Sequence, residues 1–169
     1  MRLRDLPYSD PGVPDARSGP RFLFWLLRRQ RGGLLLALLW GSLHMSAVAF
    51  TPFVIGVAVQ AVVDHSGERL ALAGVLLVSL GLLSAAADTM LHRVAVTNWI
   101  SIAVRVQQLL ARKTAELGAL LTRRVAAGEV VAVSTGDVEK IGWFVECLSR
   151  FGAALVSLLT VCLALVLYE

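Results

Sequence analysis

Charged residues are absent from three stretches of this chain, 32–63, 70–87 and 151–168, and cluster between them. The first stretch, Gly32 to Val63, would be about 48 Å long as a helix at about 1.5 Å per residue, well beyond a hydrocarbon core of about 30 Å. It predicts a membrane helix over 33–63 that tilts or projects past the bilayer. Pro52 predicts a kink there, because its ring crowds the Val48 carbonyl and its nitrogen carries no proton. Asp64 to Arg69 reads as a short polar turn, and Leu70 to Ala87 as a second crossing of about 27 Å. Within that crossing Gly74, Gly81 and Ala85 offer small surfaces for close helix contact.

No helix breaker comes after the second run. Asp88, His92, Arg93, Asn98, Ser101, Arg105, Gln108, Arg112 and Glu116 continue at largely three- and four-residue spacings. Ile102, Val106, Leu109, Leu110, Leu117, Leu120 and Leu121 recur on the other side, the mark of an amphipathic helix. The second membrane helix, 70–90, is therefore expected to run on to about residue 122 in water. The period falters over 123–128, and Gly128 and Gly136 punctuate the stretch up to Asp137. A third membrane helix is expected over 137–168, with Trp143 and Phe144 close to its inner interface. The pattern thus predicts an all-α membrane protein with three long transmembrane helices and cytoplasmic extensions.

The N-terminal twenty residues hold four of the five prolines and show no apolar period, so they read as a disordered cytoplasmic tail. No apolar region comes directly after the first arginines, so a signal peptide is not expected. Residues 21–31 set Phe22, Phe24 and Trp25 beside a basic cluster, which suits a short helix in the lipid headgroup layer.

Composition supports lipid as the solvent. The 169 residues are 57% hydrophobic and 17% charged, with a mean hydropathy of +0.72, too apolar for a soluble domain of this size. The net charge of +4 gains meaning from its placement and does not point to nucleic acid. Seven basic residues precede the first run, Arg69 alone lies between the first two, and eight lie beyond Arg69. By the positive-inside rule the N-terminus and the 88–150 segment are cytoplasmic and the 64–69 turn is outside, in a multi-pass protein of the cell membrane. Cys147 and Cys162, about 22 Å apart along one helix, cannot pair there. With no CxxC or His/Cys cluster they read as small buried apolar residues.

Two long helices joined by a turn far from the membrane resemble the first intracellular loop of type-1 ABC exporters. Gly128-Glu129-Val130 is followed nine residues after the glycine by Asp137-Val138, and Thr135 also stands where that family carries threonine. Pro52 and Gly56 match the proline and glycine common in the outer half of the family's first helix. Ala127 replaces a common threonine, and Ala132 and Val133 replace a common Ser-Arg pair. The resemblance spans 21–169 and implies the N-terminal part of an exporter transmembrane domain. It implies a coupling turn at about 120–136, with Arg123, Arg124, Ala126, Ala127, Gly128, Glu129 and Asp137 facing a nucleotide-binding domain. It also implies three further helices and pairing of half-transporters as a homo- or heterodimer.

Other candidates carry two readings each. Asp88 and His92, one turn apart near the inner end of the second span, line a polar cavity or relay protons, or else sit in water below the interface. His44 is a helix-packing donor or a substrate contact, and Gln60 and Asp64 are polar residues near the outer end. No P-loop, HExxH, GxSxG or cysteine ligand set is present, so no catalysis and no cofactor are expected of this chain. ATP and magnesium would enter only through a nucleotide-binding partner. The competing reading is a stand-alone three-helix membrane adaptor or assembly protein without a transport cycle.

Overall fold

The computed structural model describes residues 7–117 and 136–168, which form helices and connecting turns, with no strand among them. The helices are α1 (Gly19–Arg29), α2 (Arg31–Val63), α3 (Gly67–Leu117) and α4 (Val138–Tyr168). Three of them are long and apolar enough to cross a membrane, over Arg31–Val63, Gly67–Leu117 and Val138–Leu167. Their surfaces agree with that solvent. Leu72, Val75, Leu82, Leu159, Leu163 and Leu167 are all exposed, an apolar coat that water would not tolerate.

Contacts divide the chain into two units, one from Met1–Leu35 and Val94–Leu148, the other from Leu36–Arg93 and Ser149–Glu169. In the first, Leu26 of α1 is 1% exposed and packs with Ile102, Val106, Val138 and Val145. Pro20 opens α1 with a preset backbone angle and no orphaned N–H, while Ser18 makes no side-chain cap bond. Gln30 closes it, its N–H shared between the Leu26 and Leu27 carbonyls. One residue further on α2 begins. A buried side-chain bond holds this elbow, with Gln30 Nε2 donating to Asn98 Oδ1 at 3.0 Å. A Cβ on Gly33 would collide with the Asn98 side chain, and one on Gly142 with the Trp99 ring. Glycine at both positions lets α2 and α4 come close to α3.

In the second unit the packed stripe of α2 is small. Ala37, Gly41, Ala47, Val54 and Ala61 are buried, with His44, Thr51 and Ala58 half-buried between them. A Cβ on Gly41 would lie 2.8 Å from that of Ala153, and one on Gly152 3.1 Å from Leu38 Cδ1. Apolar side chains gain little from leaving lipid for protein, so such backbone approach is what helix association in a membrane rests on. α2 continues through Pro52 as one helix. Thr51 Oγ1 donates to the Ala47 carbonyl at 3.0 Å, beside the Val48 carbonyl that Pro52 leaves without its usual donor.

The α2–α3 turn is tighter than 64–69. Ser66 N–H reaches the Ala61 carbonyl at 3.0 Å and His65 N–H the Val62 carbonyl at 3.1 Å, the two bonds of a Schellman motif. His65 takes the left-handed position, at φ 49, where glycine is usual. Ser66 then caps α3, its Oγ accepting from Arg69 N–H at 3.4 Å. Glu68 and Arg69 thus belong to the first turn of the helix.

A Cβ on Gly74 or Gly81 would meet nothing within 4 Å among the described residues and Ala85 is exposed, so within the chain the close contacts fall to Gly33, Gly41, Gly142 and Gly152. Two expectations are corrected. Cys147 and Cys162 are exposed, because both lie off the packed stripe of α4. The segment 7–17 forms no helix but is tied down locally. Asp10 Oδ1 accepts from Gly12 N–H at 2.9 Å and Asp15 Oδ1 from Arg17 N–H at 3.2 Å. A missing apolar period rules out a regular element there and leaves docking open.

Candidate functional site

Burial along α3 keeps to one repeat over most of its length. Positions 73, 77, 80, 84, 87, 91, 94, 98, 101, 105 and 108 are all buried or half-buried, alternating steps of four and three. That is the 3.5-residue period of coiled-coil packing. Up to Val94 the stripe is apolar or small. Beyond it the same stripe carries Asn98, Ser101, Arg105 and Gln108, and the first three are 5%, 1% and 8% exposed. This polar row, read from sequence as a solvated face, is the edge of the packed face.

The N-terminal segment and Gln30 reach three residues of that row. Arg105 Nη1 donates to the Pro11 carbonyl at 2.9 Å, and its guanidinium carbon sits 3.9 Å from the centre of the Tyr8 ring. Gln108 Nε2 donates to the Tyr8 carbonyl at 3.1 Å, while its buried Oε1 has no partner among the described residues. Gly12, at φ 88, lies close enough that a Cβ would be 3.1 Å from the Trp25 ring and 3.3 Å from Arg29. Only glycine meets both the backbone angle and the space. Beside this seam lies a cleft of about 460 Å³, lined by Val13, Phe22, Val106, Leu109 and Leu110, with Arg112, Lys113 and Glu116 at its rim. Glu116 pairs with Lys113 at 3.0 Å and Arg112 at 3.3 Å. The hydrogen bond from Lys113, then its charge and those of Arg112, hold the Glu116 carboxyl below its ordinary value.

The structure puts the candidate pathway residues in three places. His44 Nδ1 lies 3.1 Å from Ser84 Oγ and 3.2 Å from the Ser84 carbonyl oxygen, so either tautomer has a partner on α3. Gln60 Nε2 donates to Asp64 Oδ1 at 2.9 Å, and Asp64 Oδ2 pairs with Arg69 at 3.0 Å. Asp88 and His92 are exposed on α3, beside the packed stripe and in line with Gly74, Gly81 and Ala85. No hydrogen bond or ion pair engages either among the described residues. Asp137, at the start of α4, pairs with Lys140 at 3.1 Å. Arg123, Arg124, Ala126, Ala127, Gly128 and Glu129 lie outside the described residues. No group of three or more metal-ligating side chains occurs among the described residues.

No family model, no curated protein and no solved structure matches this chain.

Proposed function

We propose that this chain is membrane-spanning machinery of an ATP-driven ABC-type exporter, contributing three helices to the translocation pathway and a first coupling loop to a nucleotide-binding domain. The observation that carries the reading is α3. It is one helix of 51 residues, about 76 Å at about 1.5 Å per residue, more than twice a hydrocarbon core. Its apolar part ends near Ala87, and about thirty further residues continue away from it before α4 returns. A helix carried that far past its apolar part serves to reach something. The Gly128-Glu129 to Asp137-Val138 spacing falls between α3 and α4 in the chain, and its sequence resembles an exporter coupling turn.

A second feature supports the pathway role. Gly74, Gly81, Ala85, Asp88 and His92 share one exposed stripe of α3. Small residues suit close approach by further helices, and ionisable ones suit a watery cavity over lipid. Nucleotide, magnesium and hydrolysis belong in this reading to the partner domain. The assembly is a homo- or heterodimer of half-transporters in the cell membrane, with the N-terminus cytoplasmic.

The test places a cysteine at Ala127 in a background lacking Cys147 and Cys162, co-expressed with three further exporter helices and a nucleotide-binding domain. Crosslinking to that domain is expected. A flexible insertion beside Gly128 should cut substrate transport at least tenfold while ATP turnover and membrane insertion persist. No crosslink, together with transport that tolerates the insertion, sinks the coupling assignment and leaves the adaptor reading.

A further inference from the structure

We propose that the exposed face of α1 is a binding site for the phosphate group of an anionic phospholipid, seated between Arg21 and Arg28. Arg21, Phe24 and Arg28 recur at i, i+3 and i+7 and therefore share one face of the helix. All three are exposed, and Phe24 is 67% exposed. Together with Asp15, Pro20 and Trp25 they line an open cleft of about 410 Å³. The opposite face of α1 is fixed, because Leu26 is buried in the core with Phe22 and Trp25 packed against it. The arginine face is thus presented outward by the fold.

Charge and depth decide the occupant. Neither Arg21 nor Arg28 meets a carboxylate among the described residues. Asp15 is the one acidic group in the lining, and one of its oxygens is held by the Arg17 N–H, so the cleft keeps an excess of positive charge. The positive end of the α1 dipole adds to it, since Ser18 gives no side-chain cap. Only Gln30 separates α1 from a helix long and apolar enough to cross the membrane. So short a connection to a helix of that kind favours a lipid over a soluble anion as the occupant. A large ring set between two arginines divides the work there, with Phe24 in the acyl boundary and the guanidiniums on phosphate oxygens. A soluble acidic protein would match the charge but leave Phe24 in the headgroup layer unused.

The full chain is reconstituted in nanodiscs of phosphatidylcholine and phosphatidylglycerol in equal parts, extracted gently, and weighed with its retained lipid by native mass spectrometry. Phosphatidylglycerol is expected to be retained in preference. The pair R21Q/R28Q should reduce that preference roughly thirtyfold, from the contribution of each basic residue near an anionic surface. R21K/R28K should keep most of it. The pair R112Q/K113Q removes the same charge from α3 and should leave it unchanged. Wild-type protein that retains both lipids equally overturns the proposal by itself, whatever the variants do. So does an equal loss in both glutamine pairs, which would indicate general attraction, and so does displacement by excess inorganic phosphate, which would mark a site for free anions.

Discussion

The buried amides Gln30 and Asn98 illustrate how single residues decide the packing of this protein. Each is almost fully enclosed, and Gln30 Nε2 donates to Asn98 Oδ1 across 68 positions of sequence. Burying an amide unpaired costs about 1–3 kcal/mol, whereas replacing both partners by apolar groups of similar shape is close to neutral. Gln30→Leu or Asn98→Leu alone should therefore destabilise the chain by about 1–3 kcal/mol, and the double variant by less than the sum of the two. A double-mutant cycle in mixed micelles, read by helical circular dichroism, measures the coupling; strictly additive losses would mean that the two amides act independently. His65 shows a different economy. It holds a left-handed conformation that disfavours side chains, within a turn whose two end-capping bonds still form. Neither feature could be read from the sequence. Gln30 looked like one polar residue in a basic cluster, and its partner was identifiable only once α3 was folded beside it.

At the scale of helices, the useful signal was the period, and polarity misled. The all-helical class and three helices long enough to span a membrane were legible directly in the runs without charge. The packed face of α3 was not. Asn98, Ser101 and Arg105 continue an unbroken 3.5-residue stripe, yet their polarity assigned them to water; tracing the spacing past Val94 would have found them. Arg105 is satisfied by a carbonyl and an aromatic ring 94 and 97 residues earlier, in a segment whose composition signals only the lack of regular structure. Glycines differ likewise, since Gly41 meets the Ala153 Cβ while Gly74 and Gly81 meet nothing among the described residues. The difference is measurable. Gly41→Leu drives a side chain against a Cβ that cannot turn aside, and should cost about 1–3 kcal/mol, as overpacking does. Gly74→Leu faces open space and should change stability by no more than about 0.5 kcal/mol. Comparable losses at both positions would reverse the assignment of packed and open faces.

For the whole molecule, the distribution of charge and the pairing of those charges bear on orientation together. Seven basic residues precede the first apolar run and eight lie beyond the second, against Arg69 alone between them. Arg69 is moreover paired with Asp64 at 3.0 Å. One basic residue leaves the turn between α2 and α3 little to hold it on the cytoplasmic side. At the other end Arg21, Arg28 and Arg31 lie without a carboxylate partner among the described residues, within the distance from a span over which basic residues govern orientation. The positive-inside rule thus expects the N-terminus and Gly128 inside and His65 and Glu169 outside. Single cysteines at Ser9, His65, Gly128 and Glu169, in a chain lacking Cys147 and Cys162, should react with a membrane-impermeant maleimide in intact cells only at 65 and 169. Lysis should expose the other two to the same reagent. Labelling of residue 9 or 128 before lysis would invert the topology and place the long extension of α3 beyond Ala87, with the nucleotide-binding partner proposed for it, on the side of the membrane that lacks ATP.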